Sequence, residues 1–196
     1  MSVTQTRYIT LPHLTCLQDL HLHYEDILTY AALKSYNNSV DDLCYPSYET
    51  VAQRSGFSCK FVRQSIARLE KSGLVRIKKS KQFRKSNKYW FDDITSFNRI
   101  PFDVLYNKEL NLHEKSLILC LHQFFITSVE RTKQNLISYV HRLGIGTMTF
   151  ERWYNGLLKK GFIIECIASL PGDAQTVTCE LTGRINWFLP DGQSPG

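Results

Sequence analysis

Apolar residues recur at helical spacing between Tyr24 and Tyr36, at Ile27, Leu28, Ala31, Ala32 and Leu33, and Asn37-Asn38-Ser39 ends the run. That pattern predicts a first helix. Pro46-Ser47 opens a second, with Ser47 placed as N-cap and Tyr48, Val51 and Ala52 as its buried stripe. Gly56-Phe57 breaks it, because glycine supplies the turn that lets the next helix cross steeply. Ser58 caps a third predicted helix, which runs to Ser72 and stops at Gly73. On that third helix Val62, Ile66 and Leu69 share one narrow arc, while Lys60, Arg63, Gln64, Ala67, Arg68 and Lys71 take the opposite one. Leu74 to Lys79 then alternates as a half-buried strand should, Ser80 to Asn87 is polar, and Lys88 to Phe91 returns as a second strand.

Charge sharpens this picture. The 29 residues from Lys60 to Lys88 hold eleven Lys or Arg and one acid, Glu70, a net +10 that leaves −4 for the rest of the chain. A patch of that density attracts polyanions, nucleic acid above all. Three helices followed by a basic hairpin is the order of a winged helix-turn-helix, whose third helix fits the major groove. Ser58, Lys60, Arg63, Gln64 and Ala67 are therefore candidates for base contact, the small Ala67 allowing close approach to the duplex. Arg68, Lys71, Lys78, Lys79, Lys81, Arg84, Lys85 and Lys88 are candidates for phosphate contact.

The second half repeats the first. Shifted by 88 residues, Ser55 to Val75 lies on Leu143 to Ile163 without a gap, matching Gly56 with Gly144, Leu69 with Leu157, Lys71 with Lys159 and Gly73 with Gly161. Asp19-Leu-His-Leu-His23 echoes Glu109-Leu-Asn-Leu-His113, and Leu11-Pro12 echoes Ile100-Pro101. Asn111 and Glu114 form a capping box before the apolar run Leu117 to Phe125. Phe162 to Leu170 and Val177 to Leu181 alternate around a Pro171-Gly-Asp173 turn. The expected fold is α+β, mainly α: two tandem winged helix-turn-helix domains at 8–95 and 97–189, each three helices plus a β-hairpin wing, with a loose tail at 190–196. The copies differ in charge. Lys60, Arg63 and Arg68 become Met148, Glu151 and Gly156, and residues 148–176 are neutral. Arg142, Met148, Arg152 and Lys159 are thus candidates either for a weaker DNA contact or for a protein contact.

The Ile/Leu-Pro lead-in, the Leu-x-Leu-His start and the Ala52-x-x-Ser55-Gly-Phe-Ser58 turn resemble the winged-helix domains of plasmid and phage replication initiators, including the DnaD-like group. The resemblance covers roughly residues 8–189, and the chain ends without the helicase-recruiting tail or nicking motif of larger initiators. It implies a double-stranded DNA-binding protein of a mobile element, active in replication initiation or transcription control. The competing expectation is a winged-helix adaptor working through protein contacts, with a homodimer or an accessory replication or transcription protein docking on the second domain.

Other chemistry is thin. The six cysteines include no Cys-x-x-Cys pair and suit buried thiols in a reducing cytosol. His13, Cys16, His21 and His23 lack metal-ligand spacing, and Gly144-Ile-Gly-Thr147 lacks the strand and Lys-Ser/Thr of a phosphate loop. Nothing reads as a catalytic constellation, a cofactor site, a signal peptide or a bilayer span. The expectation is a cytoplasmic, non-enzymatic protein with no cofactor or metal and no membrane partner.

Overall fold

A computed structural model describes residues 8–14, 16–37, 43–80, 86–91, 96–169 and 175–187. It is a mixed α+β structure of seven helices and three small sheets among the described residues. The N-terminal part holds strand β1 (Tyr8–Pro12), helix α1 (Tyr24–Lys34), strand β2 (Leu43–Cys44), helices α2 (Tyr48–Ser55) and α3 (Cys59–Lys71), and strands β3 (Arg76–Lys78) and β4 (Lys88–Trp90). The predicted caps operate. The Ser47 hydroxyl accepts from the Thr50 amide and that of Ser58 from the Phe61 amide. Gly56 and Gly73 sit at φ +83° and +82°, the left-handed region where a Cβ is penalised. Tyr89 and Phe91 face the core, as their alternation with Trp90 requires. The short strand β2 completes an antiparallel sheet of order β2-β4-β3, with Leu43 opposite Trp90.

The C-terminal part holds β5 (Phe97–Pro101), the single turn α4 (Asp103–Tyr106), α5 (Leu112–Thr127), α6 (Lys133–Leu143), α7 (Thr147–Lys159), and the hairpin β6 (Ile163–Ser169) to β7 (Gln175–Leu181). The Asn111–Glu114 capping box forms at the start of α5, and Thr132 caps α6. Gly144-Ile-Gly-Thr147 is the α6–α7 turn, with Gly144 at φ +77°. His21 and His23 stand in the turn before α1 rather than on a helix, His21 at φ +54° and His23 as N-cap.

The two parts share one core, which the hydrophobic pattern had not revealed. β1 pairs antiparallel with β5, Ile9 opposite Ile100 and Thr10 opposite Arg99. α1 packs along α5, so both are buried nearly all round instead of along one stripe. Ile27, Leu28, Leu117 and Leu121 are all at most 1% exposed, and burying each such side chain stabilises the fold by roughly 1.5–3 kcal/mol. Each part also reaches over the other's helical turn. The Leu17 amide donates to the Leu143 carbonyl at 3.2 Å, and Leu14 donates to the Gln123 side chain at 2.8 Å. His113 of α5 accepts from or donates to the Tyr24 hydroxyl at 3.0 Å, stacks on Trp153 of α7 at 4.7 Å, and meets the edge of Phe57 in the α2–α3 turn.

Candidate nucleic-acid interface

On α3 the residues left exposed are Lys60, Arg63, Gln64, Ala67, Glu70 and Lys71, a continuous stripe at helical spacing. Val62, Ser65, Ile66 and Leu69 are buried behind it. Ser58 is exposed at the start of the helix, where its oxygen accepts from the Phe61 amide at 3.2 Å and its O–H proton stays available for donation. Arg63 lies over the Tyr48 ring at 5.2 Å, which steadies a long side chain at the stripe's edge. Its charge, the Ser47 hydroxyl and above all Glu49's own amide lower the carboxyl pKa of Glu49, so an acid stands ionised at the start of α2.

Arg68 departs from its sequence assignment. Its Nε and Nη2 donate to Asp26 Oδ2 and Oδ1 at 2.8 and 2.7 Å. The Asp26 side chain is fully buried, and Arg68 is only 25% exposed. Asp26 also accepts from the His23 amide at 2.8 Å, closing the capping box of α1. These bonds raise the pKa of Arg68 further above its usual value. The guanidinium therefore ties α3 to α1, and it cannot leave Asp26 without stranding a buried carboxylate.

The hairpin supplies the second set of cations. Lys78, Lys79 and Lys88 are exposed, and Lys88 lies over the exposed Tyr45 ring at 5.5 Å. Lys81, Arg84 and Lys85, like Phe83 and the Asp41-Asp42 pair, lie outside the described residues. Asn87, which the sequence reading passed over as a polar linker residue, fastens the hairpin to α2. Its Nδ2 donates to the Tyr48 hydroxyl at 3.0 Å and its Oδ1 accepts from the Ser80 amide at 3.2 Å. A crevice of about 220 Å³ between Tyr48, Arg63 and Asn87 marks where α2, α3 and the hairpin meet. The only sequence signal for Asn87 was its place in a turn-forming stretch.

On α7 the exposed residues are Thr147, Met148, Glu151, Arg152, Asn155 and Lys159. Met148 is 85% exposed, Arg152 lies over Trp153 at 4.7 Å, and Arg142 is exposed at the end of α6. Gly156 stands where α3 has Arg68. The space is taken by Glu114, 3% exposed, whose carboxylate accepts from Lys160 and from the Asn111 amide. Both parts thus join the third residue of a core helix, α1 or α5, to a later cation, Arg68 on α3 or Lys160 at the C-cap of α7, with different side chains.

A helix-turn-helix domain family matches residues 20–75, the span from the turn before α1 to the residue before β3. A search of curated proteins gives no match. The chain carries a helix-turn-helix domain of DNA-binding type, followed by a basic hairpin. Among the described residues no helix is long and apolar enough to cross a membrane, and no three His, Cys, Asp or Glu side chains cluster as a metal site would require.

Proposed function

We propose that this protein binds double-stranded DNA for a mobile element, a phage or plasmid, in replication initiation or transcription control. The observation that carries the reading is the exposed stripe of α3, where the cations Lys60, Arg63 and Lys71 stand with Gln64 and Ala67 against the single acid Glu70, inside the segment matched by the helix-turn-helix family. α3 enters the major groove with Ser58, Lys60, Arg63 and Gln64 toward base edges and Ala67 allowing close approach. Lys71, Lys78, Lys79 and Lys88 meet phosphates, joined by Lys81, Arg84 and Lys85. The replication side of the reading rests on the resemblance to DnaD-like initiators. The protein is proposed as a cytoplasmic binding protein, not an enzyme.

The C-terminal part is proposed as a second winged helix at 97–189. Its element order, the left-handed Gly144 and Gly161 at the positions of Gly56 and Gly73, and the Thr132–Thr178 bridge matching β2 on β4 support that duplication. Thr10 and Arg99, equivalent in the repeat, face each other in the β1–β5 pair, as two copies meeting about a local two-fold would. The neutral stripe of α7 with exposed Met148 favours a protein contact, or a weaker DNA contact through Arg142, Arg152 and Lys159.

Binding to random duplex at stepped salt concentrations tests the reading. Each phosphate contact contributes about 0.9 to the salt slope, so Lys78, Lys79 and Lys88 to Ala should flatten it by roughly 2.7. The triple Arg142, Arg152 and Lys159 to Ala should flatten it less. Salt-independent binding, or equal flattening by both sets, would count against the reading.

A further inference from the structure

Across the sheet β2-β4-β3 the side chains fall into rows. Cys44, Tyr89 and Ile77 stand opposite one another, with Cys44 and Tyr89 buried. The next row faces outward. Lys88 stands directly opposite Lys78 of β3, and carrying the β2 register one residue further sets Tyr45 opposite Lys88 on the other side. All three are exposed, Tyr45 by 51%. With strands about 4.8 Å apart, the row spans about 10 Å.

This row is unfavourable in the free protein. Two ammonium groups directly opposite on neighbouring strands repel each other. Among the described residues neither Lys78 nor Lys88 has a carboxylate at ion-pair distance. Lys88 reaches to the β2 side, where its Nζ lies 5.5 Å from the centre of the Tyr45 ring. Anions beside the two lysines would turn the repulsion into attraction. The row also adjoins the N-terminal half of α3. Asn87, next to Lys88, donates to the Tyr48 hydroxyl, and Arg63 of α3 lies over the Tyr48 ring. Glu49, the acid of α2, is engaged by its own amide, Ser47 and Arg63.

Tyr45 belongs to this row, although nothing in the sequence pattern pointed to it. The buried Pro46 follows it and keeps its backbone extended, while Lys88 lies over its ring. Among the described residues its hydroxyl has no hydrogen-bond partner, whereas those of Tyr48 and Tyr89 both meet Asn87.

We propose that Tyr45 is a further DNA-backbone contact, its phenolic O–H donating to a phosphate oxygen beside the phosphates taken by Lys78 and Lys88. Tyrosine hydroxyls are among the groups that make such contacts. A row of about 10 Å has room for more than one phosphate, at about 3.4 Å of rise each along a strand. The contact rests on the duplex-binding reading and adds a member without charge. Tyr45 therefore contributes affinity but displaces no counterion, so it leaves the salt slope alone.

Tyr45→Phe keeps the ring under Lys88 and removes only the oxygen. Binding to two duplexes of unrelated sequence, at stepped salt concentrations, is the measurement. Tyr45→Phe should weaken binding about threefold to tenfold, the share of one neutral hydrogen bond, by the same factor on both duplexes and at every salt concentration. Lys88→Ala should instead flatten the slope by about 0.9. A Tyr45 that serves only to steady Lys88 predicts wild-type binding by Tyr45→Phe. That result, or a weakening confined to one duplex, overturns the proposal, while a steep wild-type slope keeps the duplex-binding reading in place. A wild type that binds without salt dependence overturns that reading and this contact with it.

Discussion

Arg68→Met separates the phosphate contact expected from the sequence from the tie to Asp26 seen in the structure. The substitution keeps the packing of the aliphatic stem and removes both hydrogen bonds to Asp26, at 2.7 and 2.8 Å. Among the described residues it leaves a fully buried carboxylate with only the His23 amide in the capping box. Breaking a buried pair from one side costs about 3–5 kcal/mol. The lower end applies here, because Arg68 is 25% exposed and water can reach the vacated side. At about 3 kcal/mol, and 2–4 °C per kcal/mol for a chain of this size, Tm should fall by roughly 6–12 °C. Urea unfolding gives the stability, and DNA binding at several salt concentrations gives the slope. The expected result is a large stability loss with a wild-type slope. A variant of full stability whose slope drops by about 0.9 would refute the reasoning and return Arg68 to the phosphates.

Three further outcomes follow from other sites. His122 is buried without a hydrogen-bond partner among the described residues, its ring tilted against Trp187 with centroids 4.9 Å apart, and burial pushes its pKa down to about 4. The unfolded chain therefore takes up that proton first as pH falls below about 6.5, and stability should decline by about 3 kcal/mol by pH 4, an increment missing from His122→Phe in urea titrations. Gly156→Ala would drive a Cβ into Glu114 Oε1, a carboxylate held in place by Lys160 and the Asn111 amide, so chemical denaturation should show a loss of about 1–3 kcal/mol. Arg63→Ala or Gln64→Ala should relax sequence preference by about 1–3 kcal/mol at one base pair in competition binding, and equal losses on every sequence would assign these side chains to phosphate.

Local chemistry was legible in the sequence. Ser47, Ser58 and Asn111 cap helices because a side-chain oxygen three residues ahead of a free amide needs no distant partner. The glycine turns and the alternation of Tyr89, Trp90 and Phe91 are local in the same way. The exposed positions Lys60, Arg63, Gln64, Ala67 and Lys71 of α3 followed from its periodicity, which also put the partly buried Arg68 among them. Contacts made across the repeat were hidden. The echo of Leu11-Pro12 in Ile100-Pro101 was visible, but a five-residue lead-in does not say that its partner is the other lead-in. The apolar residues on every side of α1 showed only a stripe until α5 covered the rest. Asp26 looked like an ordinary first-turn acid, so nothing distinguished Arg68 from its cationic neighbours. Asn87 and Glu114 act through partners 39 and 46 residues away.

The pairing of Tyr8–Pro12 with Phe97–Pro101 sets an order of events during synthesis. When the first basic hairpin leaves the ribosome, neither β5 nor α5 exists, and the outer side of α1 has nothing to cover it. Contacts between segments about 90 residues apart in sequence close slowly and leave apolar surface exposed meanwhile. The N-terminal part is therefore a nascent intermediate that is completed only by the second, and a fragment cut near residue 95 should be a client of chaperones instead of a self-standing DNA-binding unit.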